Sequence, residues 1–477
     1  MRRPAMSFGD LVLFCLVTGM SVRWIAAAAT LGPAAITIWA GAFLFFYIPL
    51  LVAVLELSTR FERGDGGIYD WSKQALGPWS GFMTGWTYWT SNLPYFPTLL
   101  LFAAGAATHL PFVSHDPTLL AANRWYVLSF SLVALWIATI MNVIGLRYGK
   151  WLHDLGAIGN WGPVVILIAV AFIAIGRFGS ANSFTLHSLV PTVNFQQAVF
   201  WSSIVFAVAG SEASAFMRHE VEDARRVYPR ALLLSGVFVV VGYVGGTIAI
   251  LVIIPSAQVS GLGGIMAAIT AGTARIGWTW LAPLIALMLV AANVGGVGAW
   301  LAATARLPFV AGIDRYLPAS FGRMHPRYDT PHVALLWQSG LATAFILLGQ
   351  AGTNVAGAYQ VLVSMGIISY FLPYLFTFAS LIAVQRIPAG RNVIRPPGGR
   401  LTATVFAIVG FCVVSAGIVL ACIPDAAEPN KTLAVAKVVG SMALLVVIGQ
   451  ILYSRGARRQ QIDGAGPATQ QPSTSQG

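Results

Sequence analysis

Apolar segments long enough to cross a bilayer follow one another along almost the whole chain. No other feature limits the fold as much. A helical span needs ~20 predominantly apolar residues. Twelve segments meet that requirement, with rough limits 8–31, 34–58, 79–109, 125–144, 153–176, 197–218, 229–254, 277–309, 332–350, 357–385, 401–423 and 431–453. The 477 residues are 57% hydrophobic and only 9% charged, a balance foreign to water-soluble domains of this length. The expected fold class is therefore an all-α polytopic membrane protein with about 12 transmembrane helices, forming a single transmembrane domain over residues 1–453. The polar stretch 454–477, rich in Gln, Ser, Gly and Pro, reads as a disordered cytoplasmic tail. Met1 to Asp10 is short and runs directly into the first span, so no cleaved leader is expected.

The net charge of +12 invites a nucleic-acid reading, but the placement of the charge argues against it. With both termini inside, nearly all of the 28 Lys and Arg residues fall in cytoplasmic segments. Only Arg124, Arg177, Arg275 and Lys431 fall on the other side, and Arg23 and Lys437 lie within spans. This is the positive-inside bias. The basic charge sets topology in a cell (plasma or inner) membrane, and lipid headgroups balance it. Cys15, Cys412 and Cys422 show neither metal-ligand spacing nor a disulfide framework. No cofactor, metal or nucleic-acid partner is expected.

Two spans carry internal interruptions. Span six contains Phe206-Ala-Val-Ala-Gly210-Ser-Glu212 and ends in Glu220-Val-Glu222-Asp223 and Tyr228-Pro229-Arg230; span one contains Val17-Thr18-Gly19-Met20-Ser21. Opened backbone inside hydrocarbon is tolerated only where protein buries it or where it lines a cavity. The two breaks are five spans apart, the spacing of two inverted five-helix repeats (about 8–176 and 197–385), which leaves 401–453 as extra helices. A half-helix beginning at the first break aims positive dipole and bare N–H groups at it, which suits a carboxylate. A packing kink at Gly19 is the competing reading.

Four blocks resemble the amino acid–polyamine–organocation permeases. They are span one with Gly32-Pro33, the stretch Glu56 to Trp71 with Gly77-Pro78 and Gly81-Phe82, Phe206 to Ala231, and Ala305-Arg306 through Asp314-Arg315-Tyr316-Leu317-Pro318 with His325-Pro326 and Thr330-Pro331. The resemblance runs from about Phe8 to Tyr453. It implies a LeuT-like fold of two inverted five-helix repeats plus two helices, and alternating-access transport. Residue by residue, the family's Gly-Ser-Gly break falls on Val17-Thr18-Gly19, with the first glycine replaced. The gating aromatic falls on Phe206, and the substrate-facing carbonyls on Phe206 and Ala209. A span-eight tryptophan falls on Trp300 and a span-three asparagine near Asn92. Where some proton-driven members carry a span-five lysine, this chain has Gly159 and Asn160.

The resulting substrate-site candidates are Thr18, Gly19, Met20, Ser21, Arg23, Asn92, Phe206, Ala209, Gly210, Ser211, Glu212 and Trp300. Glu212 is either a proton carrier and amine anchor or a carboxylate fixed structurally, since an ionisable group at this depth is costly. Arg23 has four readings: a fork for a substrate carboxylate, a fixed charge replacing a coupling cation, a salt bridge to Glu212, or a snorkel to the interface. The aromatics Trp86, Tyr88, Trp89, Tyr95 and Phe96 read in part as an interfacial belt. His153-Asp154 reads as a helix cap. Glu220, Glu222, Asp223, Arg225 and Arg226 form either an inner gate with the basic loop after span eight or a solvated face.

The expected function is secondary active transport of an amino acid or related amine, proton-coupled or by exchange, with membrane lipid as the other partner. A polyamine permease, a transport-dead sensor of the same fold and a membrane-embedded enzyme are the alternatives. No nucleophile or His–carboxylate pair supports the enzyme.

Overall fold

The computed structural model describes residues 7–61, 67–144, 146–192, 198–221, 224–305, 316–328, 330–390, 393–424, 428 and 430–464. Every extended regular element among them is helical. Among the described residues, nine helices are long and apolar enough to cross a membrane. Three further crossings are assembled from broken pieces and coincide with the expected spans one, three and six.

Span one consists of Phe8–Gly19 and Arg23–Ala29. Its start is fixed by a capping box, in which the Ser7 hydroxyl accepts from the Asp10 N–H while the Asp10 carboxylate accepts from the Ser7 N–H. Span three consists of Pro78–Thr90 and Asn92–Ala107. Pro94 explains that break, because it has no N–H to donate to the Thr90 carbonyl and its ring crowds that oxygen. Span six consists of Ala198–Ala207 followed, after Gly210, by a 3-10 segment, Ser211–Glu220. Span two carries a π-helical turn, Phe43–Tyr47, which widens it midway.

The layering follows burial. The apolar window of span ten (Val355–Val384) is 67% buried within the protein, against 28% for span eleven (Gly399–Ala421) and 33% for span twelve. Spans eleven and twelve are thus peripheral, while span ten lies at the centre against spans three and two. Span seven (Ala224–Ile253) packs along both halves of span one, and span five (Leu146–Phe178) packs closely on span eight (Leu281–Thr304). Gly159 permits that last approach, because a Cβ there would stand 3.0 Å from Ala292.

One end of the core is pinned by a buried carboxylate. Glu56 Oε1 accepts from Arg60 Nε (3.1 Å), Arg60 Nη2 (3.0 Å), Gln385 Nε2 (2.9 Å) and Arg395 Nε (3.3 Å), tying the end of span two to the exit of span ten.

Two expectations change. Span twelve continues as helix to Gly464, past the Ser454 at which the tail was expected to begin. The aromatic run of span three is largely internal rather than an interfacial belt, since Tyr88, Trp89 and Phe96 are buried. The expected inner gate involves Glu222, Asp223 and the 306–315 loop, together with the Glu220 and Arg225 side chains; these lie outside the described residues, as do the side chains of Val17, His153 and Asp154.

Candidate functional site: two facing helix breaks

The interruptions of spans one and six meet. Gly210 has φ +112, and a Cβ built on it would stand 2.9 Å from the Thr18 carbonyl oxygen. Glycine is required there twice over, by conformation and by the closeness of main chain to main chain.

The opening in span one lies slightly later than expected. Thr18 and Gly19 are still helical, and the Thr18 hydroxyl donates back to the Phe14 carbonyl (3.0 Å). Met20 is extended (φ −124, ψ 136), and helix resumes at Arg23. Nor are the polar groups of the break bare. The Ser21 N–H donates to the Tyr243 hydroxyl at 2.9 Å. The Val22 N–H donates to Asn160 Oδ1 at 3.3 Å, and the Asn160 side-chain amide donates to the Met20 carbonyl. Tyr243 Oη also lies 3.1 Å from the Ala207 carbonyl of span six and 3.4 Å from the Gly19 carbonyl, so a single phenol fastens both breaks. Opened backbone in an apolar interior needs such partners. Asn160, noted in the sequence only as the site of a missing lysine, therefore repairs the break instead.

Glu212 is fully buried. Its Oε1 accepts from the Tyr370 hydroxyl (2.6 Å) and the Tyr88 hydroxyl (3.3 Å), and its Oε2 accepts from the Gly210 N–H (3.1 Å). Two phenols and a main-chain donor thus hold the carboxylate, with no cation among the described residues in contact. The salt bridge to Arg23 is not formed, and Arg23 does not reach the interface, being 1% exposed. Its guanidinium carbon lies 4.3 Å from the Trp24 ring centroid and 4.6 Å from that of Tyr95. Its Nη1 donates to the Thr98 hydroxyl, while Nε and Nη2 have no hydrogen-bond partner.

Phe206 joins the two halves of this site. Its ring lies 5.2 Å from Trp24 and 6.5 Å from Tyr95, the rings that hold Arg23. It lies 5.1 Å from Tyr370, which holds Glu212. Trp300 stands one layer back, edge-on to Tyr95 at 6.2 Å. Ala209, Ser211 and Gly210 are buried beside Phe206, and the Ser211 hydroxyl has no partner. The Asn92 amide donates to the Tyr88 and Trp89 carbonyls of its own broken helix. The sequence reading missed Tyr243, Tyr370 and Asn160 as partners of the breaks. Each is a single polar residue inside an apolar span, which is a weak signal taken alone.

An all-helical bundle with two discontinuous crossings, touching at their breaks and flanked by buried charge, defines a secondary transporter of the broken-helix type. Sequence comparison names the family: residues 5–448 match the amino acid permease model, and the chain belongs to that family. It is 28% identical to the uncharacterized transporter lpg1691 of Legionella pneumophila, covering 92% of this chain and 94% of that protein. It is 22% identical to a probable agmatine/putrescine antiporter of Lactococcus lactis, covering 90% of each. A glutamate/gamma-aminobutyrate antiporter of the same species is 25% identical over 82% of this chain and 78% of its own length. The chain is thus a multi-pass membrane protein and a secondary transporter. The transport-dead reading is not favoured by these relatives.

Proposed function

We propose that the chain carries an amino acid, or a closely related amine, by alternating access at the junction of the two breaks. The contact between Gly210 and the Thr18 carbonyl carries this reading, because it brings the breaks of spans one and six to one point beside a buried carboxylate. Thr18, Gly19, Met20, Ser21, Phe206, Ala209, Gly210 and Ser211 form the immediate surroundings of the solute. Phe206 closes over it, with Tyr95 tilted behind it and Trp300 edge-on to Tyr95. The solute's ammonium is received by carbonyls near Phe206 and Ala209, and by Glu212.

Glu212 also serves as the proton carrier, and the cycle runs as proton symport or as exchange of two solutes. The hydroxyls of Tyr88 and Tyr370 and the Gly210 N–H hold the carboxylate, and no cation among the described residues touches it. Solute ammonium or a proton would each neutralise that charge, which ties occupancy to protonation. The protein sits in the cell membrane with both termini inside, as the distribution of basic residues supports. It acts as a carrier rather than an enzyme.

Uptake of radiolabelled amino acids into proteoliposomes, with and without a pH gradient and with and without internal amino acid, tests the proposal. Accumulation driven by either gradient is expected. Saturable binding without flux would overturn it.

A further inference from the structure

Arg23 is the strangest side chain in the molecule. A full cation is buried with a single hydrogen bond, to Thr98, and with two aromatic faces for company. Contacts with aromatic faces offset part of the cost of desolvating a guanidinium, but they leave the N–H donors of Nε and Nη2 unsatisfied. Buried polar groups without partners are rare in native proteins, and each calls for an explanation. Here the unmet N–H groups belong to one positive charge. The complementary ligand is an acceptor with negative charge.

The N–H groups at the span-one break, the expected receivers of a solute carboxylate, are taken by Tyr243 and Asn160. We propose that Arg23 receives the carboxylate of the transported solute. The transporter therefore selects solutes that keep a carboxylate and discriminates against their decarboxylated amines. The inference rests on the transport reading above and names the substrate class of that same site. Nε and Nη2 of one guanidinium present two parallel donors, the fork that matches a carboxylate. With Glu212 at the other side of the Phe206 cluster, the site carries one charge of each sign, as a zwitterion requires.

The experiment uses the full-length protein in proteoliposomes. A screen of the twenty amino acids identifies one that is carried. Unlabelled amino acid and its decarboxylated amine then compete for uptake of the label. In the wild type the amine is expected to compete at least about tenfold more weakly. Arg23→Met, which keeps length and removes charge, is expected to weaken binding of the amino acid by about ten- to hundredfold, the scale of lost charged hydrogen bonds, and to leave the amine's affinity unchanged or improved. The ligand-free melting temperature of Arg23→Met is expected to equal or exceed that of the wild type, because an uncompensated buried charge has been removed.

Equal competition by acid and amine in the wild type overturns the inference. So does an equal loss of both ligands in Arg23→Met, or a lowered ligand-free melting temperature, either of which would mark Arg23 as structural. Absence of flux for every amino acid is a different failure, that of the transport reading.

Discussion

Gly210→Ala against Gly19→Ala isolates the physical core of this site. Both glycines stand at helix interruptions, and the sequence gives no reason to treat them differently. The structure does. Gly210 has φ +112, where an L-residue is strained by about 1–3 kcal/mol. Its Cβ would also stand 2.9 Å from the Thr18 carbonyl oxygen. That atom is main chain and cannot rotate aside, so overpacking adds about 1–3 kcal/mol. Gly19 has no positive φ, and its Cβ would lie 3.5 Å from the Val239 side chain, an ordinary contact. Alanine at the end of that helix gains about 0.5–1 kcal/mol over glycine. Gly210→Ala is therefore expected to destabilise by about 3 kcal/mol and to force the two breaks apart, while Gly19→Ala is expected to be neutral or slightly stabilising. Thermal unfolding of the two detergent-purified variants, followed through intrinsic tryptophan fluorescence, measures the contrast. Equal melting temperatures, or a greater loss at Gly19, would refute the claim that the breaks are in contact.

Three other substitutions probe the same framework. Tyr243→Phe removes the hydroxyl shared by the Ser21 N–H and the Ala207 carbonyl, and is expected to cost about 1–3 kcal/mol in denaturant unfolding; no loss would mean that water replaces the phenol. Glu212→Gln is expected to retain measurable solute binding but to lose the pH-dependence of uptake, and a persisting pH profile would remove Glu212 as proton carrier. Glu56→Gln leaves the Arg60 and Arg395 guanidinium groups without their carboxylate and is expected to destabilise by about 3 kcal/mol. Limited proteolysis near residue 390 should accelerate with it; an unchanged cleavage rate would show that the pin does not hold the exit of span ten.

How far the sequence carried can be judged from particular residues. The spans are written in composition, because hydrocarbon forces each crossing to satisfy its own backbone within an apolar stretch. The breaks at Gly19–Ser21 and Gly210 were readable for the same reason, since Gly and Ser interrupt otherwise continuous runs. Glu212 and Arg23 were readable as candidates because charge at such depth is rare. Their relation was not. A salt bridge between them is the natural expectation for two opposite charges on broken helices, yet each has found other partners.

Sequence alone determined that this chain crosses a membrane many times, that spans one and six are interrupted, and which buried charges stand near those interruptions; the break in span three emerged only in the structure. These properties depend on local composition, and the bilayer imposes them segment by segment. Tertiary structure decided who satisfies the opened backbone, that the breaks touch, and that Arg23 keeps donors unmet. Tyr243 is more than 200 residues from Ser21 in the chain, and Asn160 more than 130 from Val22. A hydrogen bond is directional and reaches only about 3 Å, so which distant side chain completes it is settled by helix packing and leaves no periodic trace in the sequence.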